Sequence, residues 1–101
     1  MQLPYLCASI KEAMRLFPSV ALSLQRTAPQ QGLDLSDKHI PRGYRVGVNP
    51  AVVHYNEDVF GSDSAEFRPE RWLVEEDQRK RMEKAILTFG AGTRVCSGKN
   101  V

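Results

Sequence analysis

Leu3, Leu6, Cys7, Ile10, Met14 and Phe17 recur at three- and four-residue steps, the spacing of one face of an α-helix. Pro4 suits a first turn and Pro18 ends the pattern, so the spacing predicts a helix over residues 4–17. Glu12 and Arg15, spaced i and i+3, fall nearly opposite the apolar stripe and in isolation read as a solvated ion pair. Cys7 lies on the apolar face and is expected in the core. Over residues 20–27 the period changes to two. Val20, Leu22 and Leu24 alternate with Ala21, Ser23 and Gln25, which predicts a strand with one buried face. Arg26 falls on that buried face, where an unpaired guanidinium is costly, so either the strand frays into solvent or an anion meets the arginine.

Beyond the strand, residues 27–36 look linker-like, and turn chemistry stands at Gly32 and at Pro41-Arg42-Gly43. Tyr44, Val46 and Val48 then alternate with Arg45 and Gly47 as a short strand, which makes this a hairpin-rich stretch. Pro50 interrupts it, and AVVHY gives another short apolar run. Asn56 to Gly61 carries an Asn cap and a Gly stop around a one-turn helix. Residues 62–73 have the composition of an irregular segment anchored by Phe67 and Trp72. Residues 75–84 are acidic first and basic afterwards, which complements a helix macrodipole and allows the pairs Glu75/Arg79, Glu76/Lys80 and Asp77/Arg81. That helix reads as a solvated face.

Composition narrows the function. A net charge of +2 with both signs mixed along the chain argues against a polyanionic partner such as nucleic acid. No apolar run approaches the roughly 18 residues of a membrane span, and the first residues lack a signal peptide's basic n-region and cleavage site. The 101 residues fit one domain, with no room for a second. Cys7 and Cys96 are too far apart, without C-x-x-C spacing, to suggest a zinc knuckle or a disulfide scaffold, and a reducing compartment fits better.

The chemistry concentrates in FGAGTRVCSGKNV, where Cys96 stands among glycines and beside Arg94. A phosphate loop needs a glycine five places before Gly98 and a Ser or Thr after Lys99, but the chain has Thr93 and Asn100. A cysteine hydrolase needs a histidine base, and neither His39 nor His54 has flanking residues that suggest one; no role is assigned to either. Cys96 as an inert buried thiol is the plain alternative. The remaining reading is a thiolate ligand to a metal with no other protein ligand close by, as on the proximal side of a haem. Glycines permit close backbone approach and positive φ, and amides following the cysteine can point at the sulfur.

Phe89-x-x-Gly92-x-Arg94-x-Cys96-x-Gly98 resembles the haem-binding signature of the cytochrome P450 family, the haem-thiolate monooxygenases. Two further motifs stand in the right order upstream. Glu12-Ala-Met-Arg15 is similar to the family's E-x-x-R on its K helix, and Phe67-Arg68-Pro69-Glu70-Arg71-Trp72 to its F-x-P-E-R-F/W segment. The flanking text resembles eukaryotic, especially fungal, members, so the similarity covers essentially the whole chain. The resemblance implies an α+β piece of a mainly-α fold, residues 1–101 forming part of a single domain. Its parts are a K-type helix, short strands and hairpins, an irregular meander, a surface helix and the cysteine loop.

The same resemblance implies the site. Cys96 becomes the axial ligand of haem b iron, donating electron density that favours O–O cleavage. Phe89 shields the sulfur, Gly92 permits the turn, Arg94 binds a haem propionate, and Gly98 lets the next helix start close to the ring. Arg26 occupies a place that often supplies a second propionate contact. Glu12, Arg15 and Arg71 become a structural charge triad, overriding the solvated reading of the wheel. Residues 20–24 face either substrate or core, and residues 75–84 are a solvated face rather than a docking site for an electron donor. The implied activity is insertion of one oxygen atom of O2 into a small hydrophobic substrate, with NADPH electrons delivered by a reductase. The implied location of the parent is the endoplasmic reticulum membrane, facing the cytosol. Full members are several times longer, so the chain is expected to be an inactive fragment lacking the distal half of the site. The alternative is a non-catalytic haem-binding or structural remnant of a truncated or mispredicted gene.

Overall fold

The computed structural model describes residues 3–100. Helix α1 (Pro4–Leu16) leads to strand β1 (Leu24–Thr27), a small hairpin of β2 (Leu33–Leu35) and β3 (Lys38–Ile40), and strand β4 (Arg45–Val48). Three helices follow, α2 (Pro50–Val53), α3 (Glu57–Phe60) and α4 (Glu76–Ala85), with 3-10 turns at Pro69–Trp72 and Gly92–Arg94. β1 pairs antiparallel with β4, Leu24 opposite Val48 and Arg26 opposite Val46, so the β2–β3 hairpin projects from the connection between them.

Local chemistry accounts for the short helices. Asn56 accepts a hydrogen bond from the Asp58 amide at 2.9 Å, and Gly61 at φ 92° ends α3, as the sequence predicts. The apolar run after Pro50 is instead the helix α2, because Asn49 caps it through the Ala51 amide at 2.9 Å and Pro50 fits its first turn. Within the linker-like stretch, β2 turns into β3 at Ser36, whose φ of 57° is left-handed.

Ala8, Phe60, Trp72 and Met82 form the apolar core, with Val59, Val74, Ala85 and Ile86 packed against it. The Phe60 and Trp72 rings meet edge to face, centroids 6.2 Å apart. Around this small core the burial of α1 inverts its hydrophobic pattern. Glu12 and Arg15 are 0% exposed, whereas Leu3, Leu6, Ile10 and Phe17 are exposed, Phe17 by 79%. The helical wheel therefore locates the amphipathic stripe but not the face that the rest of this chain covers. Cys7 is half-buried.

Glu12 organises that polar interior. Its Oε1 accepts from Arg15 Nη2 at 2.7 Å, Arg71 Nε at 2.8 Å and the Arg68 amide at 3.1 Å. Its Oε2 accepts from Arg15 Nε at 3.0 Å and Trp72 Nε1 at 2.9 Å. Arg15 Nη1 also donates to the carbonyls of His54 and Ser64, at 2.7 and 2.6 Å. Arg71 donates to the carbonyls of Phe60 and Asp63 and pairs with the Asp63 carboxylate. Among the described residues no buried side-chain nitrogen or oxygen lacks a partner.

Three expectations are corrected. The strand begins only at Leu24, and Val20 and Leu22 are exposed, because β1 has β4 as its sole partner and no second layer among the described residues covers its apolar face. Of the two outcomes left open for Arg26 the solvent one is found, with its Nη1 donating to the Gln25 carbonyl at 2.9 Å. Phe67 is 55% exposed, so Trp72 alone of the two anchors its segment. On α4, Glu76 pairs with Lys80 at 2.5 Å, but neither Glu75/Arg79 nor Asp77/Arg81 is an ion pair. Arg79 approaches Glu83, and Arg81 donates to the Asp58 carbonyl at 3.1 Å, because α3 packs beside it.

Two outcomes are expected. Glu12→Ala strands two buried guanidinium groups and an indole N–H, and chemical denaturation should show a loss of about 3–5 kcal/mol. Acid should act through the same carboxyl. Burial pushes its pKa up, but the hydrogen bonds from Arg15, Arg68, Arg71 and Trp72 together outweigh burial and lower it from 4.5 to about 2. A lowered carboxyl pKa stabilises the fold above the unfolded value, so this contribution is complete above pH 4.5 and is lost as pH falls toward 2. Acid titration of Glu12→Gln should lack that loss.

Candidate functional site

The stretch from Leu87 to Asn100 forms an open loop outside the apolar core, and several hydrogen bonds fix its path. The Gly90 amide donates to the Leu87 carbonyl at 3.0 Å, the Val95 amide to the Gly92 carbonyl at 3.3 Å, and the Cys96 amide to the Phe89 carbonyl at 2.8 Å. The last of these closes the loop and brings Phe89 beside the cysteine. Gly90 and Gly92 take φ values of 75° and 72°, a left-handed conformation that costs a side-chain-bearing residue about 1–2 kcal/mol. Two turns, over residues 87–90 and 92–95, thus follow one another, with a left-handed glycine in each.

Cys96 is a free, exposed cysteine. It opens onto a groove of about 360 Å³ whose walls include Val20, Leu24, Thr88, Phe89 and Arg94. The groove places β1 opposite the loop, so one apolar wall comes from each. Arg94 is exposed, and its guanidinium has no ion-pair partner among the described residues. One thiol donor and one free cation therefore share a largely apolar surface.

The residues singled out from sequence separate into those that this groove gathers and those that it does not. Cys96, Phe89 and Arg94 line it together. Gly92 turns the chain beside it, and Gly98 sits in the turn after the cysteine. A methyl group on Gly98 would meet Cys96 Sγ at 3.8 Å, an ordinary contact, so the loop by itself does not demand glycine there. Arg26 is not a lining residue. It is two residues beyond Leu24 on β1 and hence on the same strand face. Glu12, Arg15 and Arg71 do not line the groove and belong to the buried charge network.

Three residues that sequence reasoning did not single out as supports for the loop hold it in place. His54 is fully buried, accepts at Nε2 from the Leu87 amide at 2.8 Å, and meets the Arg15 carbonyl through Nδ1 at 2.9 Å. Thr88 Oγ1 donates to the Met14 carbonyl at 3.2 Å. Trp72 both supplies its indole N–H to Glu12 and lines a 190 Å³ apolar cavity with Met14, Ile86 and Phe89. Only Trp72 carried a signal, as a donor-only side chain inside a motif of charged residues.

The donor chemistry limits what can bind. Among the described residues no group of three or more His, Cys, Asp and Glu could hold a metal ion. A metal at Cys96 would need its other donors from outside the described residues, and the groove beside it is largely apolar with an exposed arginine at its edge. No helix of the described residues is long and apolar enough to cross a membrane.

Comparison with known proteins agrees with the motifs. Residues 1–101 match the family model described as Cytochrome P450. The chain is 47% identical over 100 residues to Cytochrome P450 monooxygenase ACRTS1 of Alternaria alternata, covering 99% of this chain and 27% of that one. It is 50% identical over 101 residues to Cytochrome P450 monooxygenase esdpH of Penicillium shearii, with coverage of 98% and 20%. The solved structure of retinoic acid-bound cyanobacterial CYP120A1 superposes with a TM-score of 0.83 at 30% identity, covering 97% of this chain and 22% of that one. The chain thus spans between 20% and 27% of the length of these two fungal relatives. With its whole length matched by the family model and by fungal relatives at nearly half identity, the chain belongs to the cytochrome P450 family.

Proposed function

We propose that this chain supplies the thiolate side of a haem-thiolate monooxygenase site, with Cys96 as the axial ligand of haem b. The observation that carries the reading is the exposed Cys96 thiol, held by the Cys96–Phe89 backbone bond on an apolar groove that also presents Arg94. Haem bound there supplies a redox-active iron at which dioxygen is reduced.

The chain's own residues have separable tasks in this reading. Cys96 offers an anionic sulfur. Phe89, linked to the same turn, shields one side of it from water. Gly90 and Gly92 let the backbone stay close to a planar ring, and Gly98 leaves space in the turn that follows. Arg94 meets a propionate, and Arg26 approaches a second from the β1 face that carries Leu24. Val20 and Leu24 add apolar cover at the groove's edge. α1 takes the part of the K helix, and Glu12, Arg15 and Arg71 hold it to the segment around Trp72 without touching the reacting atoms.

Residues 1–101 form one partial domain in this reading. The distal wall, the groups that deliver protons to oxygen and most of the substrate pocket come from residues outside this chain, and the chain alone does not turn over substrate. The substrate class is a small hydrophobic organic molecule. Electrons come from NADPH through a reductase, and the whole protein works at the endoplasmic reticulum membrane, on its cytosolic side. The charged surface of α4 is a solvated face.

The test is Cys96→Ser in the haem-loaded protein that carries this chain, read by the absorption of its ferrous carbon monoxide complex. The expected result is loss of the thiolate-type Soret band and of substrate oxidation. An unchanged band in the serine variant would overturn the assignment. Arg94→Ala is expected to retain the thiolate-type band while releasing haem faster, as measured by transfer to apomyoglobin.

A further inference from the structure

We propose that His54 is a positioning residue that fixes the cysteine loop to the end of α1 through a neutral imidazole bridging the Arg15 carbonyl and the Leu87 amide. The inference rests on the reading of Cys96 as the haem ligand for its functional consequence, but its geometry stands apart from that reading.

A helix leaves its last four carbonyls without intrahelical partners. In α1 these belong to Ala13, Met14, Arg15 and Leu16, and each finds a donor. The Phe17 amide reaches Ala13 at 2.9 Å and the Tyr55 hydroxyl reaches Leu16 at 3.4 Å. The other two donors are Thr88 Oγ1, on Met14, and His54 Nδ1, on Arg15. Thr88 belongs to the loop itself, and His54 passes the connection on through Leu87. The end of the helix therefore grips two successive residues of the chain just before Phe89.

The two partners of His54 dictate its protonation. A carbonyl only accepts, so Nδ1 carries the proton. An amide N–H only donates, so Nε2 offers its lone pair. A doubly protonated ring would press an N–H against the Leu87 N–H. Burial acts in the same direction by lowering the pKa below 6.5, with the nearby Arg15 charge adding to the effect and the hydrogen bond to the Arg15 carbonyl opposing it. His54 has zero exposure, and no water can replace the ring in either bond without a rearrangement of α2. Buried histidines that bond two segments often serve the fold generally. Here one of the segments leads within two residues to Phe89, whose carbonyl holds the Cys96 amide. An error at Leu87 thus passes directly to the cysteine.

Two isosteric substitutions divide the bridge. In His54→Asn the side-chain amide can overlie Nδ1 and keep the bond to Arg15, but it is too short for Leu87. In His54→Gln the terminal amide can overlie Nε2 and keep the Leu87 bond while losing that to Arg15. Two readouts apply. One is amide exchange at Leu87 in the haem-free protein, and the other is the fraction of thiolate-type Soret absorption in the haem-loaded protein. Both variants break the bridge and should cut the thiolate-type fraction at least about twofold, but only His54→Asn loses the Leu87 bond, so it should speed Leu87 exchange about tenfold or more while His54→Gln speeds it less than about threefold. Equal Leu87 exchange in the two variants would overturn the proposal, because a general folding role does not distinguish them, and so would an unchanged thiolate-type fraction in either variant. Should Leu87 exchange separate the variants while Cys96→Ser leaves the Soret band unchanged, the haem assignment fails and the bridge stands. If Cys96→Ser abolishes the band and the variants do not separate, the bridge fails and the haem assignment stands.

Discussion

The Glu12 carboxylate accepts five hydrogen bonds at a fully buried position, and the arrangement of the chain around it depends on that charge being matched. A buried carboxylate without donors would cost several kcal/mol, and so would either guanidinium without an acceptor. The solution used here is to bring α1, the 3-10 turn at Pro69–Trp72 and the segment around Asp63 to one point, where each charge is bonded on every side. Arg15 extends the network to the carbonyls of His54, Ser64 and Glu66, and Arg71 to those of Phe60, Asp63 and Glu66. Irregular backbone is thereby held by side chains rather than by a strand ladder. The small apolar cluster of Ala8, Phe60, Trp72 and Met82 packs on one flank of this network.

The cysteine loop takes its position from the same helix, but from its end rather than its side. Carbonyls that a helix must leave open at its C-terminus are used as attachment points, by Thr88 directly and by His54 through Leu87. The backbone between Leu87 and Cys96 adds its own turn bonds, and positive φ at Gly90 and Gly92 makes the tight path possible. Structure at the interior and geometry at the thiol are therefore two consequences of where α1 lies. The charge network fixes its side, and the bridging side chains carry that placement to the loop.

The cysteine loop, α1, α3 and α4 were legible in the sequence because each has a local cause: a motif, a periodic face, an asparagine cap or a charge gradient. Motif order along the chain was enough to indicate the family, and the match over the whole chain agrees. The face of α1 that this chain buries was not legible from periodicity, which predicts solvent for Glu12 and Arg15. The helical wheel assumes that burial follows hydrophobicity, and a fully bonded ion network breaks that assumption. Likewise Phe67 reads as an anchor, yet it is exposed because nothing in the described residues covers it. His54 carries no sequence signal for a different reason. Its partners lie 39 and 33 positions away, and no local spacing announces a bond of that range.

By itself, then, the sequence determined the elements that short-range chemistry can specify, together with the cysteine, arginine and glycines whose motif names the family. The motif resemblance already implied that Glu12, Arg15 and Arg71 act together, and only the tertiary structure decided that the same carboxylate takes the Arg68 amide and the Trp72 indole and that a histidine spans from a helix end to the loop. The physical reason is one of range. Backbone preference and periodicity act over a few residues, whereas desolvation of charge and pairing of buried hydrogen-bond groups are settled only when distant segments meet.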